Sequence, residues 1–544
     1  MSQPPTVAEP NTLQRYASSI VVALMLTFFA QGYLSSLQKS LVWDEPSALG
    51  GGYAILAWGD YDVYLESPPL MQVLSAWGLY RSRPTEPTGW RDAPMPKVEL
   101  GVELAFRGGV DHERVAWQAR LPVLLLGTLL IGLIYVWGRW LLGVPAALAV
   151  TLLATFSPNL IAHSRVATAD LGCTLFMFAA IAAFWWATQT GELKRWFVCG
   201  TLTGFALIAK FTALLLGPTY VLLVACAWLT RPNTRNVTWV ARAAIPIAVM
   251  CWLVIAVAYG FDLDLSLYRA GVARIYFDLS EIYYNYLLGV PSQTPFWYYN
   301  PVAYLLKVPT AVLVLLLLST VGMLGRSRKQ RDHVENPESS KATPERADLE
   351  NLLFLLIPPA VVIGVAFFDQ TNLGLRRILP AFPFLLLFAG YAVREADSRI
   401  MQGIVATLLV WAVVAGVSVY PNHLAFFNIV AGGPDQAPYL LDDSNIDWGQ
   451  DLPALAVWKA TRPADEELRL LYHGNADPEA YGVRAADVLV GDMLEPRPGI
   501  YAVSATKLTG FRKLMAHGVP GVDWLTEFEP IERIGHSIYI YEFR

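Results

Sequence analysis

The sequence predicts a polytopic α-helical membrane protein with a small α/β domain at its C-terminal end. Three observations support this fold class. The 544-residue chain is 55% hydrophobic and only 16% charged, whereas soluble globular proteins carry about 25% charged residues. Its mean hydropathy is +0.40, and it contains many apolar runs close to the roughly 20 residues that cross a bilayer. After residue 420 the composition changes to charges, turns and short strand-like runs.

Apolar runs divide the first 420 residues into about eleven predicted spans. Between 195 and 230 the number stays open, because Lys210 separates two short apolar runs that form two spans only if the chain bends tightly there. The predicted spans are 16–38, 117–139, 144–161, 169–189, 195–213, 214–230, 241–260, 301–324, 350–368, 376–393 and 402–420.

The charges of the short loops predict the orientation. Lys and Arg concentrate in cytoplasmic loops, and their distribution here places the N-terminus in the cytoplasm. The charged loop 325–349, which opens with RSRKQR, is then cytoplasmic and expected to be flexible. The outer face receives the loops 41–116 and 261–300 and the C-terminal domain 421–544. Polar residues therefore gather on one face, which indicates a site at the membrane surface.

The C-terminal domain is predicted from strand-like and helix-like segments that alternate. Its predicted strands are 468–472, 499–503 and 537–543, and its predicted helices are 451–459 and 507–517. We expect this domain to lie outside the membrane.

Charge and cysteine content exclude several function classes. The net charge of −5 gives no indication of a nucleic-acid partner. The four cysteines lie inside apolar runs without metal-ligand spacing, so neither a disulfide nor a zinc site is predicted. No cofactor is expected to be required, and a divalent metal is compatible with the acidic loops but not indicated. The cysteines are Cys173, Cys199, Cys226 and Cys251.

An acidic pair follows the first predicted span. Asp44 and Glu45 lie where that span should leave the bilayer, beside Trp43. A carboxylate at this position can act as a general base toward a substrate hydroxyl, and partial burial would raise its pKa toward a useful range. The alternative is a solvated acidic loop that caps a helix, and the pair alone favours that alternative. Three further acids of the loop are interpreted as solvated: Asp60, Asp62 and Glu66.

Several cations lie at or near the predicted outer ends of spans. Such positions run against the bias of positive charge toward the cytoplasm, and charged groups at membrane depth are usually paired or functional. A phosphate group would explain them, because Arg offers a bidentate fork and Lys a point charge. The alternatives are a structural Arg–Asp pair, headgroup anchoring, snorkelling and, for the Lys inside a span, pairing with an acid. The candidates are Arg165, Lys210, Lys307, Arg376 and Arg377, with His163 and Asp170 beside the first.

The C-terminal domain opens with the polar segment DDSNIDWGQD, residues 442–451. A Trp ring can cover a sugar face while amides and carboxylates bind its hydroxyls, so this segment predicts an acceptor or sugar contact. The spacing lacks the EF-hand pattern. The residues concerned are Asn445, Asp447, Trp448 and Gln450.

These pieces occur in a characteristic order. The chain contains DE in the first outer loop with GDY and PPL after it, then HSRVATAD, a Lys hairpin, WYYNPVAYLLKVP, NLGLRRILP and DDSNIDWGQDL. The set resembles the GT-C membrane glycosyltransferases, in particular the protein O-mannosyltransferase and aminoarabinose transferase group. Within that group it is most similar to the bacterial phospholipid-carrier-dependent, family 39-like branch. The resemblance spans nearly the whole chain and implies a bacterial cytoplasmic (inner) membrane location.

The resemblance implies roles for particular residues. The presumed base of the family corresponds to Asp44, with Glu45 as its companion, and the phosphate-binding cations correspond to Arg165, Lys210 and Arg376 or Arg377. The aminoarabinose enzymes carry a Lys where this chain has Ser67, which argues against lipid A modification. The loop 261–300 is too short for the β-trefoil of the yeast-type mannosyltransferases, which argues against protein mannosylation of that type.

The resulting hypothesis is an inverting transfer of a hexosyl or pentosyl group from a polyprenyl-phosphate carrier, with Asp44 as general base. The acceptor could be a glycan, a lipid or a protein, and membrane lipids are the other expected partners. Two alternatives stay open. One is a transporter or flippase for the lipid-linked sugar, and the other is a non-catalytic membrane assembly protein.

Overall fold

The computed structural model describes residues 12–230, 237–278, 284–333, 343–463 and 465–544. Helices dominate up to residue 420. They are α1 (Thr12–Ser36), α2 (Glu45–Trp58), α3 (Pro69–Ser82), α4 (Pro96–Val102), α5 (His112–Leu142), α6 (Val144–Thr155), α7 (Pro158–Ser164), α8 (Ala169–Thr190), α9 (Leu193–Ala209), α10 (Leu216–Thr230), α11 (Val237–Ala258), α12 (Ser266–Asp278), α13 (Tyr299–Lys307), α14 (Thr310–His333), α15 (Thr343–Ala366), α16 (Phe382–Arg394) and α17 (Arg399–Ser418).

The described residues contain eight helices long and apolar enough to cross a membrane, or ten if two bent pairs each form one span. The predicted multi-pass membrane fold is therefore confirmed. The fifth predicted span, 195–213, falls on α9, which has 17 residues and is shorter than the roughly 20 that a bilayer requires.

Prolines explain the two bent pairs. The chain turns by 58° between α6 and α7 and by 113° between α13 and α14. Pro158 begins α7, and Pro309 lies in the break before α14. Proline has no N–H for a helix and drives the residue before it into an extended conformation. Val308 accordingly has ψ 136°, and the 301–324 span is broken there.

The loop 41–116, predicted to lie at the outer face, is mostly helical rather than irregular. Its helices α2 and α3 pack so closely that a Cβ on Gly52 would lie 2.1 Å from the Gln72 carbonyl oxygen. On the other side a Cβ on Gly50 would lie 2.3 Å from the Lys97 carbonyl oxygen at the start of α4. The glycine run therefore provides the close-contact face of α2, which fixes the direction in which that helix begins.

The loops 261–300 and 325–349 each contain residues that the structure does not describe. Residues 279–283 lie between α12 and a hairpin of β1 (Asn285–Leu287) and β2 (Val290–Ser292). In the predicted cytoplasmic loop, α14 continues to His333 and α15 begins at Thr343. The loop 325–349, predicted to be flexible, is therefore helical at both ends, and its middle, residues 334–342, lies outside the described residues.

The C-terminal region folds around a five-stranded sheet. Its order is β4-β3-β5-β7-β6, with β3 parallel to β4 and β5, and β7 antiparallel to β5 and β6. The predicted strands correspond to β3, β5 and β7, and the predicted helices correspond to α18 and α20. The elements are α18 (Leu452–Ala460), β3 (Leu468–Leu471), β4 (Ala486–Asp487), α19 (Val490–Leu494), β5 (Gly499–Ser504), α20 (Ala505–Ala516), α21 (Trp524–Glu527), β6 (Glu532–Ile534) and β7 (Ile538–Phe543).

This region packs directly on the loop 41–116 and on the start of α5. Apolar side chains of α2 and α5, such as Leu49 and Val115, share one buried cluster with Leu455, Ile500 and Ile540 from the C-terminal region. The C-terminal region therefore covers α2, which begins at the acidic pair, and the start of α5.

Candidate active site

A polar cavity of about 220 Å³ lies where six separate segments meet. They are the start of α2, the chain before α3 with the start of that helix, the turn between α7 and α8, the break after α9, α12, and the 3₁₀ turn Leu375–Ala381 that leads into α16. The cavity therefore brings together groups more than 300 residues apart in sequence. Its charged lining residues are Asp44, Glu66, Asp170, Lys210, Arg376 and Arg377.

Asp44 directs its carboxylate toward this cavity. It occupies the N-cap position of α2, yet its side chain makes no capping hydrogen bond. Instead Oδ2 accepts from Nη1 of Arg376 at 2.5 Å, and the Asp44 side chain stays 31% exposed. The Asp44 side chain therefore does not cap α2, because it accepts no hydrogen bond from the N–H groups of that helix.

Glu45 has a different role from the one predicted. Its side chain is fully buried and accepts from Nε and Nη2 of Arg120 at 2.8 and 2.7 Å. It also accepts from the backbone N–H groups of Val42 and Ala167 at 2.7 and 2.8 Å. Glu45 does not line the cavity. Its predicted place beside the base is corrected, because all its oxygens serve to join α2, α5 and the turn before α8.

Arg376 is held between an acid and an aromatic ring. Besides its ion pair with Asp44, its guanidinium carbon lies 4.5 Å from the centre of the Trp448 ring. Gly374 begins the turn with φ 99°, a conformation that favours glycine, and Asn445 Oδ1 accepts from the Leu375 N–H at 3.1 Å. The glycine of the NLGLRR segment and this amide therefore set the direction of Arg376.

Lys210 pairs with Asp170 across the cavity. Its Nζ lies 2.5 Å from Oδ1 of Asp170, whose other oxygen accepts from the Thr168 hydroxyl at 3.2 Å. Lys210 has an extended backbone, which separates α9 from the following 3₁₀ turn. The helix thus breaks at Lys210, the position where the sequence left a tight bend open, and the ammonium group lines the cavity.

Arg377 also lines the cavity. Its Nη2 donates to the Thr371 hydroxyl at 2.8 Å, and its Nε lies 3.5 Å from Asp369. Its side chain is 24% exposed. Three of the predicted cations therefore converge on one cavity, each beside a carboxylate.

The other predicted phosphate ligands do not line this cavity. Arg165 is buried and donates to the Ser35 carbonyl oxygen at 3.2 Å. His163 is buried with its ring edge toward Trp448. Lys307 donates to carbonyl oxygens, including that of Leu424 at 2.7 Å, instead of pairing with an acid. These three groups are buried and do not line the cavity, so the cavity gives no support to their predicted phosphate roles.

The predicted sugar-contact residues are also buried. The exposed fraction is at most 3% for each of Asn445, Asp447, Trp448 and Gln450. The reason is main-chain pairing with the segment before Asp44: the Ser40 and Trp43 N–H groups donate to the Gln450 and Trp448 carbonyl oxygens at 3.0 and 2.9 Å. Residues 442–451, called the clamp segment below, therefore hold the chain before Asp44 in place and support Arg376. Their burial corrects the predicted sugar contact.

Sequence reasoning missed several residues that shape the site. Glu66 was interpreted as solvated but lines the cavity, where it pairs with Lys97. Arg120 was not singled out, although an Arg inside an apolar run is costly and usually paired. Lys39 and Asp451 form a buried ion pair between the end of α1 and the clamp segment. The charges alone could have suggested Arg120, whereas the other pairs depend on contacts distant in sequence.

The Asp447 carboxyl in the clamp segment predicts that the stability of the fold depends on pH. Burial raises the pKa of its carboxyl to about 7, against the hydrogen bonds from the Thr506 and Gly449 N–H groups that favour ionisation. The folded state thus binds the proton more tightly than the unfolded state, so stability falls as pH rises from about 4 to about 7. One pKa unit corresponds to about 1.4 kcal/mol, which makes the effect a few kcal/mol at most. The midpoint of thermal unfolding, measured between about pH 4 and about pH 7, should therefore fall less in the Asp447→Asn variant than in the wild type, because asparagine does not titrate.

A second, mostly apolar cavity of about 580 Å³ adjoins the polar one. The two share Phe211, Thr212 and Arg377 in their walls. The second is otherwise lined mostly by side chains of the turn after α9 and of α15, such as Leu215 and Val362. The polar cavity, called the charged chamber below, therefore borders this second cavity, called the apolar groove. Within the described residues, no group of three or more His, Cys, Asp or Glu side chains could hold a metal ion.

Comparisons with known proteins agree with this arrangement. Residues 111–257 match the model of the dolichyl-phosphate-mannose-protein mannosyltransferase family. No curated protein matches the chain significantly in sequence. In fold the chain is similar to the Archaeoglobus fulgidus oligosaccharyltransferase in its apo form. That match has a TM-score of 0.51 at 12% identity and covers 95% of this chain and 73% of that chain.

Two further structures are similar at lower scores. ArnT from Cupriavidus metallidurans in the apo state is 17% identical, covers 96% of this chain and 98% of its own, and gives a TM-score of 0.48. The S. cerevisiae protein O-mannosyltransferase Pmt1-Pmt2 complex is 12% identical, covers 74% and 90%, and also gives 0.48. The family match and the oligosaccharyltransferase-like fold confirm the predicted resemblance to GT-C membrane glycosyltransferases.

Proposed function

We propose that the protein transfers a sugar from a polyprenyl-phosphate carrier to an acceptor hydroxyl, with inversion, at the outer face of a bacterial cytoplasmic membrane. The N-terminus then lies in the cytoplasm and the sheet domain outside. The observation that carries this proposal is the convergence of Asp44 with Lys210, Arg376 and Arg377 on one cavity. A base and several cations at one place are what such a transfer requires.

In the proposed reaction the Asp44 carboxylate takes the proton from the acceptor hydroxyl. The acceptor oxygen attacks the anomeric carbon, and the bond from that carbon to the phosphate oxygen breaks with its electron pair going to the phosphate. The cations stabilise the charge that develops on the leaving polyprenyl phosphate. A phosphate is already a weak base, so no strong general acid is needed.

The apolar groove supports a lipid carrier rather than a soluble donor. It meets the charged cavity at Arg377, so a phosphate near Arg377 would have its hydrocarbon chain against Leu215 and Val362. Burial of such a chain contributes about 0.8 kcal/mol per methylene. One molecule with an anionic head and an apolar tail matches both cavities together.

Arg376 connects donor binding with the state of the base. It is ion-paired with Asp44 at 2.5 Å and stacks on Trp448. A donor phosphate competes with Asp44 for this guanidinium, since both are anions that a planar fork can bind. Donor binding would therefore release the Asp44 carboxylate for proton transfer when the reacting sugar is present.

The test is the consumption of a lipid-linked sugar. The purified full-length protein is incubated with a panel of undecaprenyl-phosphate-linked hexoses and pentoses and an extract of outer-surface glycans, lipids and proteins. We expect release of free undecaprenyl phosphate and a sugar-modified acceptor detected by mass spectrometry. Vectorial movement of the intact lipid in vesicles would instead identify a transporter. Neither reaction, with the carrier still bound, would identify an assembly protein.

Lys210→Gln should weaken carrier binding. Removing the ammonium group takes away a charge that would contact the phosphate, so the Kd for undecaprenyl phosphate should rise about 10-fold, a change near 1.4 kcal/mol. The matched control is Lys194→Gln at the other end of α9, whose side chain is 77% exposed. Unchanged affinity in the Lys210 variant would remove this residue from the phosphate site.

A further inference from the structure

A third cavity, separate from the proposed active site, opens between α3 and the first turns of α5. Its volume is about 840 Å³. None of its lining residues also lines the charged chamber or the apolar groove. At its back the two helices touch, because a Cβ on Gly78 would lie 2.6 Å from the Gln118 side chain. It is therefore a cleft with a closed floor and an open side.

Two arginines line this cleft at its outer end. Arg81 ends α3, Arg114 lies in the first turn of α5, and both are exposed. Neither forms an ion pair within the described part of the chain. Asp111, the acid in the lining, caps α5 by accepting from the Glu113 and Arg114 N–H groups at 3.0 and 3.2 Å. The cleft thus carries positive charge that the protein does not neutralise by pairing.

The lower part of the cleft is apolar and faces outward. Leu121 and Leu125 continue its wall along α5, and Leu125 is 48% exposed. Leu129 extends the same stripe one turn further with 56% exposure, since residues four apart share a helix face. Trp77, 51% exposed, stands at the rim beside the arginines, as aromatic residues do at membrane interfaces.

We propose that this cleft binds an anionic membrane phospholipid, with its phosphate at Arg81 and Arg114 and an acyl chain along the leucine stripe. The charge selects the occupant: two arginines favour a phosphate that lacks a compensating cation over a zwitterionic headgroup. Basic pockets between membrane helices bind anionic headgroups for this reason. This lipid site is distinct from the proposed carrier site and does not depend on the proposed transfer reaction.

The test compares lipid retention by the purified full-length protein in native mass spectrometry. The probes are phosphatidylglycerol and phosphatidylcholine with identical acyl chains. We expect the wild type to bind phosphatidylglycerol about tenfold more tightly, because its phosphate carries no compensating cation and the choline group of phosphatidylcholine supplies one. The double variant Arg81→Gln/Arg114→Gln should lose this preference, and Arg81→Lys/Arg114→Lys should keep most of it. The matched control is Arg139→Gln, an exposed cation at the opposite end of α5.

Two outcomes would overturn the proposal. The first is no preference in the wild type, or a preference that survives in the glutamine double variant. The second is an equal loss of undecaprenyl phosphate binding in that variant, because the cleft would then belong to the carrier site. Both arginines are exposed, so we expect the variants to fold, which the midpoint of thermal unfolding checks.

Discussion

The Asp44→Asn variant should transfer sugar about 10³-fold more slowly than the wild type. A positioned general base contributes roughly 10²- to 10⁴-fold to rate, and asparagine cannot accept the proton. Its side-chain oxygen can still accept from Arg376, so the geometry of the cavity should persist. The measurement is single-turnover release of undecaprenyl phosphate from the lipid-linked sugar that the wild type consumes.

Carrier binding separates this explanation from a structural one. Asparagine removes the anion that competes for Arg376, so the Kd for undecaprenyl phosphate should stay unchanged or fall. The matched control is Asp62→Asn, an exposed acid of the same outer loop that does not line the cavity. Transfer at a near wild-type rate in the Asp44 variant would exclude this residue as the base.

Part of the site could be predicted because its signal is local. Lys210 and Arg376 stand out as cations at the ends of apolar runs, where burial is costly unless the charge has a partner or a function. Asp44 stands out as an acid directly after a span. The structure brings these three residues to one cavity. The residue types and the positions of the span ends were therefore sufficient to select them as candidates for one site.

The rest depended on contacts that the sequence does not display. Trp448 has the composition of an exposed sugar contact, but its burial follows from pairing with Trp43, some 400 residues earlier. Lys307 sits inside a span like a functional cation, yet it serves carbonyl oxygens of a loop more than 100 residues away. Whether a polar group is exposed or enclosed is a tertiary property, and spacing along one segment does not determine it.

The neighbouring carboxylates Asp44 and Glu45 show most clearly what the sequence alone does not predict. Their order in the chain gives no reason to assign chemistry to one and packing to the other. The assignment follows from the start of α2, which turns Asp44 toward Arg376 and Glu45 toward Arg120. The two residues should therefore fail in different ways when they are replaced.

Glu45→Ala should destabilise the fold by about 3–5 kcal/mol, because it leaves Arg120 as a buried charge without its partner. Arg120 would keep its bonds to the carbonyl oxygens of Ser36, Lys39 and Ser40, so it would stay in place without neutralisation. The midpoint of thermal unfolding should fall by several degrees. Asp44→Asn, with its partly exposed side chain, should leave that midpoint nearly unchanged.

A double-mutant cycle tests the cause. If the cost comes from an unpaired charge, then Glu45→Leu combined with Arg120→Met should be more stable than the sum of the single changes predicts, because apolar groups of similar volume often replace a buried pair at little cost. The matched control is Glu103→Ala, which breaks the exposed Arg107 pair of the same loop and should matter little. Additive effects in the cycle would show that Glu45 acts through its backbone contacts to Val42 and Ala167 instead. In either case the loss of activity should follow the loss of folded protein, whereas in Asp44→Asn the folded protein remains and the reaction does not.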